Sequence, residues 1–222
     1  MRTLVIIPAF NEEKNIKQLI EDVDAFGYEY LILNDCSTDH TEEILRQNNY
    51  NYLSLPVNAG IAGVTWYGFK YAYENGYDCA ICVDGDGQHQ PKYIKTLIDE
   101  IEKGSDYVVG SRFIEKAKPH SMRMLGSRII CFFIKTKTGK TVYDPTSGMR
   151  ALGKKVLEDF SKDMNFYAEP DALCYLLSKG YNVKEVQVEM NERLMGESYF
   201  TNNPLKSIRY MISVLISIIL IR

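Results

Sequence analysis

The chain has 222 residues, 45% of them hydrophobic, enough for one sizeable α/β domain with a short appendage. Its 26 Lys and Arg against 29 Asp and Glu leave a net charge of -3, which excludes a generally basic nucleic-acid binder. The five cysteines are Cys36, Cys79, Cys82, Cys131 and Cys174. Cys79 and Cys82 lie three apart in the apolar run "CAICV", where strand geometry turns them to opposite faces. They are read as buried, reduced thiols rather than as a shared metal site.

The N-terminal "MRTLVIIPAFNEE" is not a signal peptide, because its apolar run is short and ends in a turn and acids. "TLVII" (Thr3–Ile7) predicts a first strand, ended by Pro8. Ile16, Leu19, Ile20, Val23 and Phe26 then recur at helical spacing. "YLIL" (Tyr30–Leu33) predicts a second strand. A helix follows it, with Asp39 as cap and Glu42 three residues on. "YLSL" (Tyr52–Leu55) predicts a third strand, and Ile61–Tyr73 a helix. "CAICV" (Cys79–Val83) predicts a fourth strand. Pro91 suits the first turn of the next helix, whose apolar face is Ile94, Leu97, Ile98 and Ile101. "YVVG" (Tyr107–Gly110) predicts a fifth strand.

The second half is less regular. Met122–Lys140 mixes Arg, Lys and large apolar residues, as a basic amphipathic segment at a membrane surface does. "YDPTSGMRAL" (Tyr143–Leu152) predicts a turn entering a strand, and Glu169–Gly180 a helix ended by Gly180. Val186, Val188 and Met190 alternate with Gln187 and Glu189, as in a half-buried strand. From Arg209 to Arg222 the chain carries no intervening charge. That run is shorter than the ~20 residues a membrane-crossing helix needs. It suits an interfacial helix, a partial span or the start of a span. The chain thus divides at about residue 203 into an α/β domain (1–203) and an apolar C-terminal helix (204–222).

Strands interleaved with helices imply a mostly parallel, Rossmann-like sheet, with ligands beyond the carboxyl ends of the strands. Three polar clusters fall there: "PAFNE", "NDCSTD" and "DGDGQHQ". In the last, Asp84, Asp86 and Gln88 leave a strand end at positions i, i+2 and i+4, where oxygen ligands can converge on one hard cation. The bland alternative is a polar Asx turn. A calcium loop counted from Asp84 requires Gly at position six and an acid at position twelve; His89 and Lys95 stand there, which rejects it. Asp39 is more simply a cap, whereas Asp35 sits at a strand tip within reach of a nucleobase or ribose. "NAGIAG" (Asn58–Gly63) is neither a dinucleotide fingerprint nor a P-loop. Arg112, past the fifth strand, and Arg193 with Ser198, in a Gly-containing loop, are either phosphate-handling or surface groups. His40 and His120 are expected to be exposed, and His89 has no assigned role.

In this order, "VIIPAFNEEKNI", "LILNDCSTDHT", "NAGIAG", "VDGDGQHQPKYI", "VVGSRF", "DPTSGMRAL" and "EVQVEMNERLMGES" resemble the family 2 glycosyltransferases of GT-A fold. The likeness is closest to the polyprenyl-phosphate branch, the dolichol-phosphate mannosyltransferase-like enzymes. One departure is that the second motif usually reads Asp-Asp-Gly-Ser, where this chain has Asn34-Asp35-Cys36-Ser37. A second is that membrane-embedded relatives carry longer transmembrane tails. The resemblance implies an inverting transfer from a nucleoside-diphosphate sugar to a polyprenyl phosphate, at the cytoplasmic side of the cell membrane. It places Pro8, Glu12 and Asp35 in the nucleotide pocket. Asp84 and Asp86 become the D-x-D motif, with Asp86 and Gln88 on Mg²⁺ or Mn²⁺ and Asp84 beside them towards the nucleotide sugar. Arg112, Arg193 and Ser198 handle phosphates, Asp144 is a catalytic acid near the acceptor, and Asp86 and Arg112 are catalytic with it. Two alternatives remain open: the same fold acting on a glycan hydroxyl, with Asp144 as general base, or a non-catalytic nucleotide-sugar-binding subunit. The tail is a surface for membrane, a partner subunit or a second copy of the chain.

Overall fold

The computed structural model describes residues 1–162, 169–191 and 204–220. Seven strands form one sheet: β1 (Thr3–Ala9), β2 (Glu29–Asn34), β3 (Tyr52–Ser54), β4 (Cys79–Cys82), β5 (Tyr107–Ser111), β6 (Arg150–Gly153) and β7 (Val183–Gln187), in the order β3-β2-β1-β4-β6-β5-β7. The helices are α1 (Ile16–Asp24), α2 (Thr41–Gln47), α3 (Gly60–Glu74), α4 (Ile94–Glu102), α5 (Met122–Thr138), α6 (Lys154–Lys162), α7 (Glu169–Ser178) and α8 (Pro204–Leu220). A 3₁₀ turn, Pro91–Tyr93, leads into α4.

β1, β2, β3 and β4 pair in parallel, as do β5 and β7. β6 runs antiparallel to both of its neighbours. The alternation of strand and helix did not announce that reversal. Arg150, the first residue of β6, lies beside Cys82 and Val109. The chain therefore enters β6 from the carboxyl side, where residues 112–149 have kept it, and can only run back down the sheet.

Both faces of the sheet are covered, so its central strands are apolar without alternation. One face packs Val5, Ile7 and Ile81 against α1, α2 and α4 through Ile16, Ile20, Leu45 and Leu97. The other packs Leu4, Ile6, Tyr107 and Leu152 against α3, α5, α6, α7 and α8. Cys79 joins the first layer, whereas Cys82 lies under Thr65 of α3 and Arg150, so the two thiols do face opposite ways. All five cysteines are free, and burial pushes the Cys79 and Cys82 thiols up to about 12.

The capping box expected at α2 is not formed. Asp39 Oδ1 accepts from Thr41 N–H at 2.9 Å and Oδ2 from Glu13 N–H at 3.2 Å, while Glu42 reaches Asn34 instead. Asp39 thus caps the turn and also binds a neighbouring loop, and the second acceptor outcompetes the reciprocal box.

α8 is docked on the body. Val214 and Ile218 are buried in the main core, each worth about 2 kcal/mol of transfer energy. Ser217 Oγ donates to the buried Asp171 at 2.6 Å, and Lys137 Nζ donates to the Ile218 and Ile219 carbonyls at 2.6 and 3.0 Å. A lysine on the last carbonyls satisfies groups that a helix end leaves open. Its outer stripe, Ile212, Ile216, Ile219 and Leu220, stays exposed. Among the described residues no helix is long and apolar enough to cross a membrane.

Candidate active site

The loops after β1 and β2 are laced together at the carboxyl edge. Asn11 N–H donates to Ser37 Oγ at 3.0 Å, Thr38 N–H to Asn11 Oδ1 at 2.8 Å, and Glu12 N–H to Thr41 Oγ1 at 2.9 Å. His40 and Glu13 close the lacing through a 2.8 Å contact of Nδ1 with Oε2. This raises the histidine pKa and lowers the glutamate's. His40 and His120 are exposed as expected. Glu12 is buried and accepts from Asn15 Nδ2 at 2.8 Å.

Asp35 is 3% exposed, and its two oxygens accept from Ala59 N–H at 2.7 Å and Gly60 N–H at 2.9 Å. The strand-tip carboxylate thereby seats the N-terminus of α3, where negative charge is favoured. That gives "NAGIAG" a task the sequence did not suggest. Gly60 takes φ +70°, and Asn58 Nδ2 donates back to the Asp35 carbonyl at 3.1 Å. Each Asp35 oxygen keeps a lone pair for a ligand.

Pro8 is buried, and its carbonyl accepts from Gly85 N–H at 3.2 Å. A Cβ at residue 85 would lie 2.8 Å from that oxygen, so glycine is needed where the carboxylate loop crosses β1. Asp84, Asp86 and Gln88 are half-buried at the mouth of β4. Asp86 Oδ1 accepts from Gln88 N–H at 3.0 Å, an Asx turn that holds the pair in place. The polar turn weighed for this loop is therefore formed. His89 acquires a position: its Nδ1 accepts from Asp84 N–H at 2.9 Å, and its Nε2 lies 3.6 Å from Asp84 Oδ2. With Nδ1 accepting, the neutral ring carries its proton on Nε2, facing that carboxylate. Gly148 closes the knot, since a Cβ there would sit 2.7 Å from Asp84 Oδ2.

No three His, Cys, Asp or Glu side chains among the described residues gather on one point. Two carboxylates and an amide oxygen are nonetheless an all-oxygen donor set, of the kind that holds Mg²⁺ or Mn²⁺ together with a substrate's phosphates.

Past the end of β5, Asp144 and Arg112 form a two-pronged ion pair. Asp144 Oδ2 accepts from Arg112 Nε at 2.6 Å and from its backbone N–H at 3.1 Å; Oδ1 accepts from Nη2 at 2.8 Å. Asp144 is fully buried and Arg112's side chain is 22% exposed. The guanidinium keeps Nη1 clear of the carboxylate. Two residues the sequence did not flag frame this pair. Glu185 accepts from Tyr143 and Asp144 N–H at 2.7 and 2.8 Å, and Gln187 bonds the Arg112 carbonyl at 3.2 Å. Their signal in the sequence was two polar side chains on one face of a strand. Arg193 and Ser198 lie outside the described residues.

A cavity of about 310 Å³ opens between α1 and the segment after Gly87, lined by Asn15, Gln18, Phe26, His89 and Lys92 among others. None of Asp35, Asp84, Asp86 or Arg112 lines it.

The chain is similar to known proteins over most of its length. The chain is 26% identical over 227 residues to the polyprenol monophosphomannose synthase of Mycolicibacterium smegmatis, covering 96% of this chain and 86% of that one. It is 31% identical over 210 residues to the UDP-N-acetylglucosamine–dolichyl-phosphate N-acetylglucosaminyltransferase of Methanococcus voltae, with 83% and 84% covered. Among solved structures it superposes on glucosyl-3-phosphoglycerate synthase from Mycobacterium tuberculosis, in complex with Mn²⁺, uridine diphosphate and phosphoglyceric acid. The TM-score is 0.72 at 20% identity, over 99% of this chain and 79% of that one, a likeness of fold. The model of the glycosyl transferase family 2 matches residues 4–161, which span β1 to α6 and hold the carboxylate loop, Arg112 and Asp144 alike; the chain belongs to that family.

Proposed function

We propose that this glycosyltransferase moves a sugar from a nucleoside-diphosphate sugar to a polyprenyl phosphate at a membrane surface. The observation that carries the reading is the gathering at one edge of the sheet of Asp84 and Asp86, just past β4, and of the Arg112–Asp144 fork, just past β5, both strands being antiparallel to β6. The names of the relatives, which act on polyprenyl and dolichyl phosphates, support the acceptor.

Pro8, Glu12 and Asp35 line the nucleotide end. Asp84, Asp86 and Gln88 would hold Mg²⁺ or Mn²⁺, which when bound supplies Lewis-acid neutralisation of the departing diphosphate. Arg112 offers Nη1 to phosphate oxygens, and Arg193 and Ser198 belong to the same phosphate-handling set. An oxygen of the acceptor phosphate attacks the anomeric carbon, and the carbon–oxygen bond to the diphosphate breaks with its electron pair. The configuration inverts. A phosphate monoester is already an anion at neutral pH, so this step needs positioned cations more than a base.

That requirement matches Asp144. Both its oxygens are engaged by Arg112 and it is fully buried, so its part in catalysis is to orient Arg112. A glycan hydroxyl would need a free base there, which makes the hydroxyl acceptor the weaker reading. Support for the membrane surface comes from exposed Met122, Leu125 and Phe132 on α5 and the stripe on α8, beside Lys135 and Lys140.

The test is transfer of radiolabel from UDP- and GDP-sugars, with Mn²⁺ and polyprenyl phosphate, into the organic phase. Label appearing only in soluble glycans would overturn the reading.

A further inference from the structure

We propose that Glu185 and Gln187, on one face of β7, are positioning residues that hold the Arg112–Asp144 fork at its working orientation. The proposal rests on the reading of Arg112 as a phosphate-facing group.

The fork joins two loops that are far apart in sequence, and both are fastened to the same strand. Glu185 Oε2 accepts from Tyr143 N–H at 2.7 Å and Oε1 from Asp144 N–H at 2.8 Å, fixing the backbone that carries the carboxylate. Gln187 Oε1 accepts from Ile114 and Glu115 N–H at 3.1 and 3.0 Å. Its Nε2 donates to the Arg112 and Val188 carbonyls at 3.2 and 3.0 Å. These four bonds use the full hydrogen-bonding capacity of an amide, so no other residue type can replace it without loss. The two side chains are spaced i, i+2, which puts them on one face of the strand, and Gln187 sits beside Ser111, the residue before Arg112.

The same strand extension also reaches the carboxylate loop. Asn191 N–H donates to the Gln88 carbonyl at 2.9 Å, Gln90 Nε2 donates to the Glu189 carbonyl at 3.2 Å, and Met190 bridges to His89. β7 and the residues that follow it thus connect the carboxylate loop with the segment that carries the arginine. β7 does not need Glu185 to stay in the sheet, because its backbone pairs with β5 over its whole length. Burial pushes the Glu185 carboxyl pKa up, so its charge is held at some cost to stability. A strand position that tolerates such a cost, with its oxygens aimed at the Asp144 backbone, is built for the site rather than for the core.

A double-mutant cycle separates positioning from general structural support. Glu185→Gln and Gln187→Met are each made alone and combined with Arg112→Lys, which cannot make the two-pronged pair. The turnover number of lipid-phosphate glycosylation is read for each, with the Kd of Mn²⁺–UDP and Mn²⁺–GDP by isothermal titration. Misplacement of a catalytic group by a fraction of an ångström costs on the order of 10-fold. Each single variant is expected to lose about that factor, but less than ~2-fold when Arg112→Lys is already present. Equal losses in both backgrounds, or losses that follow melting temperature, would overturn the proposal. So would an Arg112→Lys protein with unchanged turnover and nucleotide affinity, since nothing would then be positioned. If no lipid is glycosylated while nucleotide still binds, the acceptor reading fails, and the cycle on nucleotide Kd still decides the role of β7.

Discussion

Asp144 grips Arg112 along its Nε–Nη2 edge, at 2.6 and 2.8 Å, and turns the remaining Nη1 edge away from itself. A carboxylate used in this way is an orienting group. Replacing Asp144 by Asn removes the charge and one acceptor. We expect turnover to fall by ~10–100-fold, with nucleotide-diphosphate affinity falling in parallel. Stability should drop by about 1–3 kcal/mol, less than for a wholly buried pair because Arg112 is partly exposed. Nucleotide affinity left untouched beside a collapse in turnover would instead mark Asp144 as a base.

Asp86→Ala should abolish stimulation by Mn²⁺ and Mg²⁺ and lower turnover by ~10²–10³-fold, since Lewis-acid neutralisation is worth several kcal/mol. Gln88 would contribute only a neutral oxygen, so Gln88→Ala should cost less. The check is a metal titration of nucleotide binding in each protein. A metal response unchanged in Asp86→Ala would place the ion elsewhere.

Cys36 occupies the left-handed region at φ +61°, where the related motif carries glycine. A non-glycine residue pays about 1–2 kcal/mol there, while glycine loosens the unfolded chain by about 0.4–1 kcal/mol. The difference favours Cys36→Gly slightly. Thermal unfolding should show a melting point unchanged or up to ~3 °C higher, with activity retained. A fall of several degrees would show that the thiol packs usefully in this loop.

The His40–Glu13 contact gives the junction of the loops after β1 and β2 a pH signature. Glu13 raises the His40 pKa above its ordinary 6.5, and His40 lowers that of Glu13 below 4.5. The histidine's contribution is therefore complete below 6.5 and lost as pH rises through its folded value. The glutamate's is present above 4.5 and lost as pH falls through its own folded value. The lacing of the two loops is tightest between those limits. Proton NMR of the His40 ring should titrate above 6.5 in the native protein and return towards 6.5 in Glu13→Gln.

Phe132 and Ile216 are exposed on neighbouring helices, and neither has a core to fill. Phe132→Asp with Ile216→Asp should weaken co-sedimentation with anionic phospholipid vesicles by more than ~10-fold, through lost apolar insertion and added repulsion. Nucleotide binding should be unaffected. Vesicle binding unchanged in the double variant would remove this face from any membrane contact.

The sheet and most helices were legible because apolar runs and helical spacing report burial directly, as Val5, Ile7, Leu19 and Ile94 do. The reversal at β6 was not, since "RAL" looks the same in either direction and only the path of residues 112–149 decides it. The placement of Asp84 and Asp86 just past the end of β4 was legible. The pairing of Arg112 with Asp144 was not, because it joins residues 32 apart through side chains alone. Glu185 was missed for a simpler reason: in an edge strand it looks like a solvent-facing charge, and only the neighbouring loop half-buries it.

The antiparallel β6 also dictates a timetable for synthesis. β1 to β4 can pair as soon as residue 82 has emerged, but among the described residues β5 pairs only with β6 and β7. Tyr107, Val108 and Val109 must therefore wait unpaired until Arg150 to Leu152 arrive to wedge between them and β4. At ~5–20 residues per second that wait is a few seconds. During it the nascent chain displays an apolar strand beside a half-built sheet, the interval in which a chaperone has most to gain by holding it.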